Sequence, residues 1–152
     1  MTANRVASVA ADLKKTVDDA LPKLRAIPDG SAAEPRAPGK WSRKQIIGHL
    51  IDSASNNHQR FIRAQQTTSL SFPPYEQNHW VSSQHYNERS WNDLVALWHA
   101  YNSHLAHVIA NIDDRHLATQ CVIESSNPVT LEFLTNDYVA HLRHHLAQLG
   151  VV

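Results

Sequence analysis

Four stretches of the chain carry apolar side chains at alternating spacings of three and four residues, and this period is the strongest constraint on the fold. They cover about residues 4–27, 42–66, 91–112 and 131–149. Apolar residues at these spacings form one stripe along a helix, and such a stripe has to be buried against another element. The sequence therefore predicts an all-α chain, and the spacing in the third stretch is typical of a bundle seam.

The boundaries of the predicted helices carry their own signals. Ser42 and Gln45 form a capping-box pattern at the start of the second helix, and Thr130 is a good cap for the fourth. Residues 67–89 lack a sustained period, and a connection of this length is usually functional or a crossover. Residues 113–130 are also irregular and are compatible with a short hairpin.

Size and charge exclude several classes of protein. The 152 residues suit a single domain spanning residues 1–152, and one cysteine excludes both an intrachain disulfide framework and a cysteine-rich zinc module. Basic and acidic residues number 14 each, a balance that argues against nucleic-acid binding and against a polybasic membrane patch. No apolar run approaches the roughly 18 residues of a membrane-spanning helix, and the N-terminal stretch lacks the apolar core of a secretion signal. We therefore expect a soluble, cytoplasmic protein.

Histidine is the unusual residue of this chain, with 11 copies. His141 and His145 are one helical turn apart on the fourth helix, at seam positions where a bundle ordinarily has leucine. Two imidazoles at this spacing can share one metal ion, and His49 on the second helix is the natural third ligand. Three neutral imidazoles leave coordination positions open, which is typical of catalytic sites. The alternative is a pair of hydrogen-bonded, partly buried core histidines.

A line of polar residues follows the edge of the apolar face of the second helix. It consists of His49, Ser53, Asn56, Arg60 and Arg63. Arg60 is a candidate for binding an anionic substrate group, or for a salt bridge within the bundle. Asn56 and Asp52 are candidates for orienting a ligand imidazole through its second nitrogen, or for ordinary packing.

Three further residues lie near these candidates in the predicted arrangement. Tyr75 and Trp80, in the long connection, either cover the metal pocket or pack in the ordinary way. His144 points about 100° away from His145, so a surface or supporting position fits it better than a ligand position.

Three separated segments resemble one known family. GKWSRKQIIGHLIDSASNNHQRF, PPYEQNHW and VTLEFLTNDYVAHLRHHLAQL resemble, in this order, the YfiT-type branch of the DinB/YfiT-like superfamily, over about residues 38–150. The resemblance implies a four-helix bundle with a long crossover between the second and third helices. It also implies one divalent metal per chain, zinc or nickel, held by His49, His141 and His145. Homodimers are frequent in this family, and exposed aromatics such as Trp80 and Trp91 would support one here.

The resemblance also bears on activity, because this branch is similar to bacillithiol S-transferases and to metal-dependent hydrolases. An open metal site can activate a low-molecular-weight thiol for transfer to an electrophile, or water for hydrolysis. The sequence places no obvious carboxylate as a general base for water, which favours thiol transfer. A groove beside the metal lined by Arg60 or Arg63 would favour transfer, whereas a glutamate beside the metal would favour hydrolysis. A metal-binding protein without turnover and a purely structural bundle remain alternatives.

Overall fold

The computed structural model describes residues 4–152 and contains the four predicted helices. The helices are, in chain order, α1 (Ala7–Arg25), α2 (Asp29–Ala32), α3 (Arg43–Ala64), α4 (Gln77–Ser83), α5 (Trp91–Ala110) and α6 (Leu131–Gln148). The long helices α1, α3, α5 and α6 begin and end within three residues of the predicted bounds. Both α1 and α3 pack against α5 and α6, which gives a four-helix bundle.

The helix starts have the predicted caps. At the start of α3, the Gln45 backbone N–H donates to Ser42 Oγ at 3.1 Å, and the Ser42 backbone N–H donates to Gln45 Oε1 at 2.9 Å. At the start of α6, Thr130 Oγ1 accepts from the Phe133 backbone N–H at 3.1 Å. These caps satisfy donors that the first helical turn leaves without partners, and they fix where the two site-bearing helices begin.

The expectation of an all-α chain is incomplete, because the two long connections form a small sheet. Its strands are β1 (Ser69–Phe72), β2 (Gln120–Ile123) and β3 (Val129–Thr130). The strands β2 and β3 pair antiparallel, so the hairpin considered for residues 113–130 is present. The strand β1 pairs parallel with β2, with Ser69 opposite Gln120. Because its partner is distant in sequence, β1 has no local periodic signal that predicts it.

The connection between α3 and α5 contains β1, α4 and a single turn of 3₁₀ helix at Tyr86–Glu88. The Tyr86 ring lies directly on Gly48 of α3, where even a Cβ atom would have no room. The Tyr86 hydroxyl donates to Asp52 Oδ1 at 2.6 Å. This contact fixes the connection against the helix that carries His49.

Two tryptophans are among the largest fully buried side chains of the bundle. Trp91 is 1% exposed, so the expectation that it is an exposed aromatic is wrong. Its ring nitrogen donates to the Leu24 carbonyl at 2.7 Å, because the end of α1 packs over the start of α5. Trp98 is also fully buried.

Within residues 4–152, every helix is too short or too polar to cross a bilayer.

Candidate metal centre

The three predicted histidines meet at the interface between α3 and α6. His49 Nε2 lies 3.4 Å from His141 Nε2, and His141 Nε2 lies 3.1 Å from His145 Nε2. One nitrogen from each ring lies within 4.8 Å of the other two. The i, i+4 spacing on α6 puts two rings on one side of that helix, and α3 brings the third ring from the opposite side. We call His49, His141 and His145 the histidine triad.

The triad geometry fits a metal ion. Two nitrogens that each bind one ion at about 2.0–2.1 Å with tetrahedral angles lie roughly 3.4 Å apart. The separations of 3.4 Å and 3.1 Å are close to that value. All three rings converge through their Nε2 atoms, as one shared ion requires, and the buried His49 Nδ1 has no hydrogen-bond partner among the described residues.

Burial keeps the triad neutral. Burial, together with the neighbouring His145 and His141, lowers the pKa of His49 to about 3. Burial, together with His145, lowers the pKa of His141 to about 4, and Asp137 partly opposes this shift. The pKa of His145 is lowered by burial as well. Neutral imidazole is the form that binds metal, so at neutral pH the triad is already in its ligand state.

Gln148 orients one of the three rings. His145 Nδ1 lies 2.9 Å from Gln148 Oε1, so this nitrogen donates and the Nε2 lone pair is left facing the triad. Gln148 lies three residues after His145 on the same helical seam. This spacing could have predicted that the two side chains meet. A partner on the second nitrogen is the usual means of fixing a ligand imidazole.

Asp52 and Asn56 do not take the orienting role considered for them. The Asn56 side-chain amide donates to the Asp52 backbone carbonyl at 2.9 Å, within α3. The Asp52 carboxylate accepts from Tyr86 and, at 2.8 Å, from the Gln84 amide. These two side chains stabilise α3 and its contact with the following connection. The structure thus places neither of them on the free nitrogen of His49.

A cavity of about 270 Å³ adjoins His141 and contains Arg60. We call it the His141 cavity. Arg60 is only 9% exposed, and its Nε has no partner among the described residues. Its guanidinium carbon lies 5.2 Å from the centre of the Phe72 ring, and among residues 4–152 it forms no salt bridge, the alternative considered for it. Arg60 is therefore a buried cation in the cavity at His141 with no salt-bridge partner in the described part of the chain.

Tyr75 and Asp137 are among the other polar residues that line the His141 cavity. Burial raises the pKa of the Tyr75 phenol, which was a predicted candidate, and keeps it protonated. Asp137 is on the turn of α6 that precedes His141. It was not among the predicted site residues, although its spacing of four residues from His141 was a visible signal.

The remaining candidates lie outside this cavity. Trp80 packs against Tyr75, with ring centroids 5.5 Å apart, and its side chain does not line the cavity wall. The Arg63 Nε donates to Gln59 Oε1 at 3.0 Å on the exposed side of α3. His144 is exposed, with its ring centroid 5.2 Å from that of His145. Of the residues on the predicted polar line, His49, Ser53 and Arg60 thus reach the triad or this cavity.

A second cavity, of about 530 Å³, adjoins His145. We call it the His145 cavity. Arg36 and Lys40, from the loop before α3, line it together with Trp41 and Ile46. Among residues 4–152 no residue lines both cavities, so His141 and His145 face two distinct spaces. Arg36 and Lys40 were not predicted as site residues, because they are in a loop without periodicity.

Comparisons with known proteins identify the family of this chain. A sequence model of the DinB superfamily matches residues 12–149. The chain belongs to the DinB superfamily. A relative in Bacillus subtilis (strain 168), named "Putative metal-dependent hydrolase YfiT", is 22% identical over 142 residues, which cover 93% of this chain and 76% of the relative.

A solved structure has the same fold. It is described as YfiT from Bacillus subtilis, a probable metal-dependent hydrolase with an unusual four-helix bundle topology. The match has a TM-score of 0.84 at 19% identity and covers 97% of this chain and 85% of the other. The predicted family is confirmed, and so is the four-helix bundle of YfiT type.

Proposed function

We propose that this DinB-superfamily chain is an enzyme that binds one divalent ion, zinc or nickel, at the histidine triad and transfers a low-molecular-weight thiol to an electrophile. The observation that carries the proposal is the position of the triad between two cavities, one at His141 and one at His145. A transfer reaction has two organic substrates that must both reach the reacting centre, whereas hydrolysis of a small molecule needs space for one.

The triad and its surroundings support the proposed binding of a divalent ion. When bound, such an ion lowers the pKa of a coordinated thiol or water, and so supplies a nucleophile near neutral pH. The protein holds His49 and His141 neutral by burial. Gln148 fixes the ring of His145. Three protein nitrogens leave room in the coordination shell for a substrate atom.

Arg60 supports the choice of a thiol that carries an acidic group. A buried charge is costly unless it is paired, and among residues 4–152 no carboxylate lies within salt-bridge distance of Arg60, although Asp137 lines the same cavity. A carboxylate on the thiol would complete this pairing in the His141 cavity. The proposed role of Arg60 is thus to position the thiol beside the triad, and Tyr75 supplies a further hydroxyl in the same cavity.

Hydrolysis is the second candidate because of Asp137. This carboxylate lines the His141 cavity one turn from His141, a position from which a general base could accept a proton from water. The name of the Bacillus subtilis relative also points to hydrolysis. In this alternative, Arg60 would bind the acidic group of the compound that is cleaved.

Two assays of the metal-loaded protein separate these reactions: one with an aryl chloride and a thiol, and one with an ester or amide and no thiol. We expect chloride release from an aryl chloride that depends on an added thiol, and no turnover in His145→Ala. Arg60→Met should raise the KM for an acidic thiol with a smaller effect on kcat, the pattern of lost uniform binding.

The Asp137→Asn variant decides between the alternatives. Thiol transfer should survive this change, because no water has to be deprotonated. Cleavage of an ester or amide without any thiol, lost in Asp137→Asn, would establish the hydrolase instead. A protein that binds the metal and turns over neither set would be a metal-binding protein without activity.

We also propose that the chain forms a homodimer, as the family resemblance implies. The packed helices α3 and α5 each leave a large apolar side chain exposed, Ile62 at 47% and Leu97 at 41%. Light scattering at micromolar concentration should give twice the chain mass of 17.1 kDa. A monomer in wild-type protein would refute the proposal, and Leu97→Glu should produce monomers if this face is the contact.

A further inference from the structure

We propose that the His145 cavity is the binding site of the electrophile and that it selects a flat, apolar compound carrying one anionic group, such as an aromatic carboxylate. This inference rests on the proposed function, because it assigns the second substrate of the transfer. The cavity of about 530 Å³ is within the range of roughly 300–1,000 Å³ typical of small-molecule sites.

The charge of the cavity is of one sign. Arg36 and Lys40 both line it, and among the described residues no aspartate or glutamate does. Within residues 4–152, neither of these two cations forms a salt bridge. Both side chains are exposed, so solvent weakens their charges, but both attract an anion that enters this space. An anionic ligand therefore fits this cavity better than a neutral or cationic one.

The guanidinium of Arg36 is held in place by the backbone. Its Nε donates to the Trp41 carbonyl at 3.4 Å, and its Nη1 donates to the Gln148 carbonyl at 3.2 Å. These two bonds leave three of the five guanidinium N–H donors for a ligand. A donor group that is already fixed loses little conformational freedom on binding, which favours recognition of a planar carboxylate.

The remaining wall of the cavity is apolar and leads to the triad. Trp41 and Ile46 line it, and the Trp41 ring centroid lies 5.0 Å from that of His49. An aromatic ring packed against Trp41 would lie beside the triad, because Trp41 contacts His49 and His145 lines the same cavity. Arg36 and Lys40, which line this cavity too, would then be available to its anionic group.

The reaction balances for an aryl chloride of this kind. The thiol sulfur forms a bond to the ring carbon, and the carbon–chlorine bond breaks with its electron pair leaving on chloride. The thiol proton passes to solvent. No oxidant or reductant is needed.

A binding experiment without metal tests the cavity separately from turnover. The probes are dinitrobenzoate and the neutral dinitrobenzene, titrated into chelator-treated protein while tryptophan fluorescence is followed. We expect the carboxylate to bind about tenfold more tightly than the neutral compound. Lys40→Gln should weaken carboxylate binding by about two- to fivefold, and Arg36→Gln by about tenfold, with no change for the neutral probe.

Matched variants locate the bound probe. Arg63→Gln removes an exposed arginine of α3 that lines neither cavity, and it should leave both affinities unchanged. The chain has four tryptophans, so Trp41→Phe should abolish most of the quenching if the probe lies in this cavity. If Arg36→Gln lowers the melting temperature because the loop detaches from α6, the affinities of Arg36→Lys and Lys40→Gln for the two probes test the proposal instead. Equal affinity for both probes, or quenching that survives Trp41→Phe, would overturn the proposal.

Turnover then links the cavity to the reaction. With metal restored, Lys40→Gln should raise the KM for chloronitrobenzoate by about two- to fivefold and leave the KM for neutral chlorodinitrobenzene unchanged. If the carboxylate binds more tightly than the neutral probe but no thiol reaction occurs, the cavity is an anion site and the proposed thiol transfer is wrong. If turnover occurs but the carboxylate has no advantage over the neutral compound, the transfer proposal stands and the assignment of the His145 cavity is wrong.

Discussion

The helices α1 and α3 take equivalent places in the bundle, since both pack against α5 and α6, but they bury different chemistry. The buried face of α1 is apolar except for Thr16. The buried residues of α3 include six polar or charged ones: Lys44, His49, Asp52, Ser53, Asn56 and Arg60. Buried polar groups reduce stability unless they are paired. The helix α1 therefore contributes mainly to the stability of the core, whereas the polar groups of α3 reduce that stability and form the candidate site.

The same division runs along α6. Its first half places Leu131 and Leu134 in the core, and its second half places His141 and His145 opposite α3. The helical period is the same in both halves, so the change of residue type, and not a change of geometry, converts a packing seam into a candidate metal site. Four changes test this contrast between packing regions and site regions.

The largest effect is expected at the site. Replacing His145 by alanine should remove all stoichiometric metal while the helical content survives, because the two remaining imidazoles are a poor set for a divalent ion. Elemental analysis and circular dichroism measure the two quantities. His144→Ala is the matched control, since this neighbouring ring is exposed, and it should keep the metal. A triple alanine variant of the triad that retains one tightly bound ion would refute the assignment.

The next largest effect is expected in the packing region. Leu13 of α1 is fully buried, so Leu13→Ala should lower the free energy of unfolding by about 2–5 kcal/mol. Urea denaturation measures this loss. Metal stoichiometry in the folded variant should stay at the wild-type value. A Leu13 variant that loses metal without losing stability would mean that α1 is not a separate packing region.

The third effect depends on pH and is confined to the metal-free protein. Unfolded His49 takes up a proton near pH 6.5, whereas burial lowers its pKa in the folded state to about 3. Between these values the unfolded state binds more protons, so stability is complete above pH 6.5 and falls as the pH decreases towards 3. For His49 alone the loss between about pH 6.5 and 4.5 is on the order of 2–3 kcal/mol. Urea titrations across this range should show a smaller slope in His49→Leu, and an equal slope would mean that this ring is already protonated when folded.

The smallest effect on stability is expected at Arg60. Arg60→Met removes a buried charge that forms no salt bridge among the described residues, and it also removes a partly desolvated contact with Phe72 worth about 1–2 kcal/mol. We expect these to offset, so the free energy of unfolding should change by less than about 1 kcal/mol. A loss of several kcal/mol would instead show that Arg60 stabilises the core. Such a loss is typical when one member of a buried ion pair is removed and the other is left unpaired.

Much of the candidate site was visible in the sequence. The i, i+4 spacing of His141 and His145 and the seam position of His49 depend only on helical geometry, and the structure brings these rings together. Gln148 and Asp137 lie at turn spacings from the same histidines, but many residues have such spacings, and only the packing shows which ones are used. Arg36 and Lys40 were not predictable in this role, because a loop has no period from which to infer which side chains face the triad.

The sequence by itself determined the four long helices, their caps and the family, because helical periods and caps are local properties that a short segment contains completely. The tertiary structure alone decided what depends on distant segments. It paired β1 with β2 across about fifty residues of chain, buried Trp91 under the end of α1, and left Arg60 without a salt-bridge partner among the described residues. It also placed the triad between two cavities. The physical reason is that burial, charge pairing and cavity shape are set by atoms from different elements, and no local pattern records which elements will meet.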